Sequence, residues 1–129
     1  MKLNLVFTIA AIFLILLGLS AMLAPAAMLG AAGGAPVGSG ALMTARFVGV
    51  EALGLGIIAW LLRNAEASRT RDAVTLGFTI YFALHALTSL YGQFTDTSTS
   101  VHWVVATIQA LFAVAFFVAG KSSMSARAS

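Results

Sequence analysis

The sequence contains no cysteine, which excludes disulfides, thiolate metal sites and thiol catalysis. Charge is almost as scarce. Asp, Glu, Lys and Arg make up 9% of the 129 residues, against about 25% in soluble globular domains. A chain so poor in charge has little surface to offer to water. From Leu3 to Ala45 there is no formally charged residue at all. Proline is confined to one short segment, as Pro25 and Pro36. No serine–histidine–acid order, phosphate-binding loop or H-E-x-x-H motif is present, so no enzymatic activity is expected.

Apolar residues take the place of the missing charge. They form 60% of the chain, and the mean hydropathy is +1.00. They fall into four runs, at 3–23, 41–62, 73–91 and 101–120. A hydrocarbon core about 30 Å thick requires roughly 20 apolar residues per helix. Backbone groups in lipid must be satisfied within the span, so each run should be an α-helix. A transmembrane barrel would need alternating strands of about ten residues, and these runs are continuous. The expectation is an all-α fold: a four-transmembrane-helix bundle, antiparallel, forming one integral membrane domain over residues 1–129. The N-terminus also has features of a signal peptide, with Lys2, an apolar run and Ala24-Pro25-Ala26. The run is long for a signal h-region, so a retained first helix is expected.

The isoelectric point near 10.0 does not indicate nucleic acid, because the basic residues sit at the ends of apolar runs. Lys2, Arg63, Arg69, Arg71, Lys121 and Arg127 fall on one side, and Arg46 alone on the other. The positive-inside rule then places both termini and the central loop in the cytoplasm, with a bacterial inner membrane as the expected location. Trp60 on one side, with Tyr91 and Trp103 on the other, fits two interfacial aromatic belts. The segment Asn64–Asp72 reads as a short charged connection, and Gly92–Ser100 as a short polar one, with Ser100 as a candidate N-cap. Residues 24–40 are rich in Gly and Ala. Such a stretch is a poor continuous helix, and it could lie in the interface, re-enter the bundle or move. Phe7-Thr8-Ile9 recurs as Phe78-Thr79-Ile80, but the match goes no further and marks no repeat.

On the second helix Ala45, Gly49, Ala52 and Gly56 recur at spacings of four, three and four, forming one smooth stripe. Small residues let membrane helices approach closely, either within the bundle or against another subunit. The same helix carries Arg46 and Glu51. Charge inside a membrane is costly and usually has a partner. Arg46 is near a helix mouth and can snorkel, pair with Asp96, or meet an anionic headgroup. With the mouth near residue 43, Glu51 should lie about 12 Å down. His85 and Gln109, on the third and fourth helices, should lie at a similar depth. Tyr81 shares a face with His85, and His102 with Gln109. Arg46, Glu51, Tyr81, His85, His102 and Gln109 thus form a candidate polar network. It could fix the bundle's register, or line a pocket for a lipid-like, quinone-like or small solute ligand. His85 and His102 fall at different depths, so neither metal nor haem is expected, nor any other cofactor.

The stretch from Ala45-Arg46-Phe47-Val48-Gly49 through Leu62-Arg63 resembles small four-helix bacterial inner-membrane proteins, a likeness that implies no activity. In length the chain is also similar to the four-helix small multidrug exporters. Those depend on a glutamate in the first helix, where this chain has no acid. The leading expectation is a small membrane subunit or scaffold that packs by helix–helix contacts, with itself or with other membrane proteins. The alternative is a binding or transport bundle built on the polar network.

Overall fold

The computed structural model describes residues 2–31, 38–95 and 101–128, except for the side chains of 31 and 126–128. Most of the described residues are helical, with no strand among them. In chain order the helices are α1 (Leu3–Leu23), α2 (Pro25–Ala31), α3 (Ser39–Leu62), α4 (Arg69–Thr95) and α5 (Val101–Ala128). Helices α1, α3 and α4, together with Val101–Ser125 of α5, are long and apolar enough to cross a membrane. The protein is an integral membrane protein by the length and composition of these four helices.

Their outward faces support this. Ile9, Ile12, Leu16, Leu19 and Leu23 are exposed along α1, and Leu76, Ile80, Leu84, Leu87 and Tyr91 along α4. Soluble monomers rarely expose contiguous apolar surface on this scale. Lipid, by contrast, is a suitable solvent for such faces.

The chain divides into two compact units. The first comprises Phe7–Leu61 and is built on close approach of α1 and α3. A Cβ added at Gly18 would lie 2.7 Å from the Gly49 carbonyl oxygen and 2.7 Å from the Leu53 backbone nitrogen. One added at Gly56 would lie 2.8 Å from Ile15 Cγ1 and 2.9 Å from the Ile15 nitrogen. Only glycine fits where the two backbones come this near. The touching pairs run in opposite numerical order: Leu14 and Ile15 meet Gly56, and Ala21 and Met22 meet Gly49. Hydroxyls in these apolar helices bond back one turn. Ser20 Oγ donates to the Leu16 carbonyl at 2.8 Å, and Thr44 Oγ1 to the Gly40 carbonyl at 3.0 Å, so neither presents an unmet donor to lipid.

Part of the Gly/Ala-rich segment is ordered as α2. Pro25 occupies its first helical position, where the missing N–H costs nothing and the fixed φ suits the helix. The remainder of that segment at 32–37 lies outside the described residues, as do Asp96 and the predicted cap Ser100.

The second unit comprises Met1–Val6 and Leu62–Ser129. Its core is the contact between α4 and α5, along a row of stacked rings. Phe78 and Phe116 lie 5.2 Å apart between centroids, Phe82 and Phe112 4.8 Å, and Phe82 and Phe116 5.7 Å. Each aromatic pair adds roughly 0.5–1.5 kcal/mol beyond simple area burial. Helix α4 begins at Arg69 rather than residue 73, and the cap explains why. Ser68 Oγ accepts a hydrogen bond from the Arg71 backbone N–H at 3.2 Å, and the Ser68 carbonyl accepts one from the Asp72 N–H at 3.0 Å. This satisfies donors that a helix start otherwise leaves open. Asp72 in the first turn also complements the helix dipole. The last four residues of the supposed charged connection, Arg69–Asp72, are therefore the first turn of a helix.

Candidate functional site

Every small residue of the predicted stripe is buried: Ala45, Gly49, Ala52 and Gly56, continued by Ala59. The partner that Gly49 and Gly56 meet is α1 of the same chain. The opposite face of α3 carries Phe47, Gly54, Ile58 and Leu61, all exposed. Arg46 and Glu51 are exposed as well.

Glu51 lies near the midpoint of α3. It stands twelve residues from Ser39 and eleven from Leu62, about 18 Å and 16 Å along the axis at 1.5 Å per residue. That is the middle of the span. A charged residue at the centre of a membrane helix costs about 2.5–3.5 kcal/mol on insertion scales. Arg46 lies about 10 Å from the helix start, and its side chain tilts toward that end. Neither side chain has a hydrogen-bond or ion-pair partner among the described residues.

His85, Tyr81, Gln109 and His102 belong to the second unit. The Tyr81 and His85 rings are in contact, with centroids 4.5 Å apart at 49°. Gln109 is buried at 5% exposure, and its Oε1 receives no hydrogen bond among the described residues. A buried amide oxygen left unpaired costs about 1–3 kcal/mol. The α4–α5 register puts two of these groups, His85 and Gln109, at one level. Phe78 meets Phe116 and Phe82 meets Phe112, so three further residues bring His85 level with Gln109. The register continues to Gly92, where an added Cβ would lie 3.4 Å from the His102 ring. Among the described residues no three His, Asp or Glu side chains gather as metal ligands would.

Two features were not read from the sequence. One is the burial of Arg71, at 6% exposure, in a segment whose charge reads as an exposed connection. Its Nη2 donates to Asn4 Oδ1 at 2.8 Å and to the Arg63 carbonyl at 3.5 Å. Thr75 Oγ1 in turn donates to the Arg71 carbonyl at 2.7 Å. This cluster ties the start of the chain to the start of α4. Its sequence signal is a lone Asn in a fully apolar run, with Ser68 preceding the arginine by three. The other is a cavity of about 370 Å³ on the α4–α5 pair. Leu76, Thr79, Phe116 and Phe117 line its apolar part, and Asp72 and Lys121 its polar end. None of the predicted network residues lines it.

No known protein family, curated protein or solved structure matches the chain.

Proposed function

We infer that the protein is a small membrane-spanning subunit that works by lateral association within the bilayer, through the outward face of α3. The single observation behind this reading is Glu51, a carboxylate at the midpoint of an apolar span, exposed and unpartnered among the described residues. Lipid cannot satisfy a charge there, whereas another protein surface can hydrogen-bond or ion-pair it. The surroundings suit a protein partner: Phe47 and Leu61 are 60% and 71% exposed, and Gly54 has open space where a Cβ would be. The glycine stripe that first suggested assembly is used within the chain, which leaves the Glu51 face for partners.

The charge distribution supports an orientation with both termini and the Arg63–Arg71 turn in the cytoplasm. The helix count and lengths are compatible with a bacterial inner membrane. Native mass spectrometry of the protein released from its membranes tests the association. The expected result is a multiple of 13.3 kDa or a mass that includes another membrane protein. Glu51→Leu combined with Phe47→Ala should return the protein to a folded monomer. Recovery of the unaltered protein solely as a monomer, in membranes as well as in detergent, would overturn the reading.

A further inference from the structure

We propose that the occupant of this α3 face is a second copy of the chain, with Glu51 of each copy paired to Arg46 of the other. The proposal rests on the lateral-association reading and names its partner.

The argument is one of charge complementarity and symmetry. Phe47, Gly54 and Leu61 recur every seven residues and define the centre line of the exposed face. At 100° per residue, Glu51 lies about 40° to one side of Phe47, and Arg46 about 100° to the other. The face therefore carries one anion and one cation on opposite flanks. Copies inserted by the same rule share one orientation, so a two-fold axis relating them runs along the membrane normal. Such an axis brings the left flank of one helix beside the right flank of the other. Glu51 then faces the partner copy's Arg46, and the exchange occurs twice.

The axial offset between the two groups is five residues, about 7.5 Å. Glu51 tilts along its helix toward the level of Arg46 and Arg46 tilts away, and the long, flexible arginine side chain turns back to close the offset. The pairing leaves the interface electrically neutral. Gly54 sits on the centre line just below Glu51, and the open space at its Cβ position allows the second backbone to come close. A wholly apolar partner would instead bury two charges with nothing opposite either. A second copy is the one occupant whose complement is already fixed by this sequence.

The absence of native cysteine makes the test direct. Phe47→Cys is introduced into the full chain and oxidised in native membranes, with Leu16→Cys on the exposed face of α1 as the control. The expected product is a disulfide-linked species of twice 13.3 kDa for Phe47→Cys and none for Leu16→Cys. Two differently tagged Phe47→Cys chains are then co-expressed, one with Arg46→Gln and one with Glu51→Gln. Each variant paired with itself has lost both ion pairs, whereas the mixed dimer keeps one. At equal expression, mixed dimers should rise from the random half to nearly all of the crosslinked product, while circular dichroism shows both variants folded. A random mixture overturns the Arg46–Glu51 exchange. Absence of the Phe47→Cys dimer, with the same position capturing a different protein through a photo-crosslinker, overturns the second copy but leaves lateral association standing. No capture of any protein overturns both.

Discussion

Gly18 provides the sharpest test of how α1 and α3 are held together. Gly18→Ala places a Cβ 2.7 Å from both the Gly49 carbonyl oxygen and the Leu53 nitrogen, and 2.8 Å from Leu53 Cβ. None of these atoms is the tip of a flexible side chain, so the backbones must separate. Overpacking costs roughly 1–3 kcal/mol, and rigid neighbours put this site at the upper end. Alanine returns about 1 kcal/mol of helix propensity relative to glycine. The net loss should be about 2 kcal/mol by these figures. Gly77→Ala on α4 is the matched control. Gly77 is exposed, with nothing within 4 Å of its Cβ position, so only the propensity term acts, and stability should rise by up to about 1 kcal/mol. The two variants should therefore differ by about 3 kcal/mol, in opposite directions from the unaltered protein. Reversible unfolding in mixed micelles, followed by far-ultraviolet circular dichroism, reads the difference. If Gly18→Ala proves as stable as Gly77→Ala, close glycine packing does not hold these helices.

Other sites yield further predictions. Asn4→Leu should destabilise by about 1.5–3 kcal/mol, because it removes an acceptor from a buried charged donor. The same unfolding measurement checks it, and a neutral result would mean that the Arg71–Asn4 bond does not contribute. Phe82→Ala should cost about 3–5 kcal/mol by opening a cavity in the α4–α5 ring stack, read as the loss of a cooperative thermal transition. Gln109→Met should leave stability unchanged or raise it by about 1–2 kcal/mol, because an unmet buried oxygen is replaced by an apolar chain of similar length. A loss of more than about 1 kcal/mol would indicate that the amide oxygen is bonded after all.

The four membrane-length helices were legible because lipid imposes one strong rule, a long apolar run for each span. The run at 3–23 coincides with α1 (Leu3–Leu23). Helix ends were less legible. Arg69 to Asp72 read as connection because they are charged, yet Ser68 caps them into a first turn. Polar residues after Gly120 likewise continue α5, where Ser122 Oγ bonds back to the Val118 carbonyl at 2.9 Å. Short α2 was hidden by Gly and Ala that carry no periodic signal. The small-residue stripe was visible from its spacing, but its partner was not, because spacing records which face is smooth and not what lies against it.

The difficulty in reading the site has a physical source. In water a helix announces its buried face by polarity, since the other face must be wet. In a bilayer both faces are apolar, and the distinction between inside and outside is coded by size. On α3 the inward positions are Ala and Gly, and the outward ones include Phe, Ile and Leu. Packing of this kind gains contact area from close backbones rather than from expelled water. A polar residue in such a helix stands outside the size code and has to be explained by a partner. Thr44 is explained by its own helix, and Arg71 by Asn4 and the Arg63 carbonyl. Glu51, at mid-span on the outward face, is explained by neither kind of partner. That asymmetry is the reason the proposed association is placed on the outward face of α3 and not on the glycine stripe behind it.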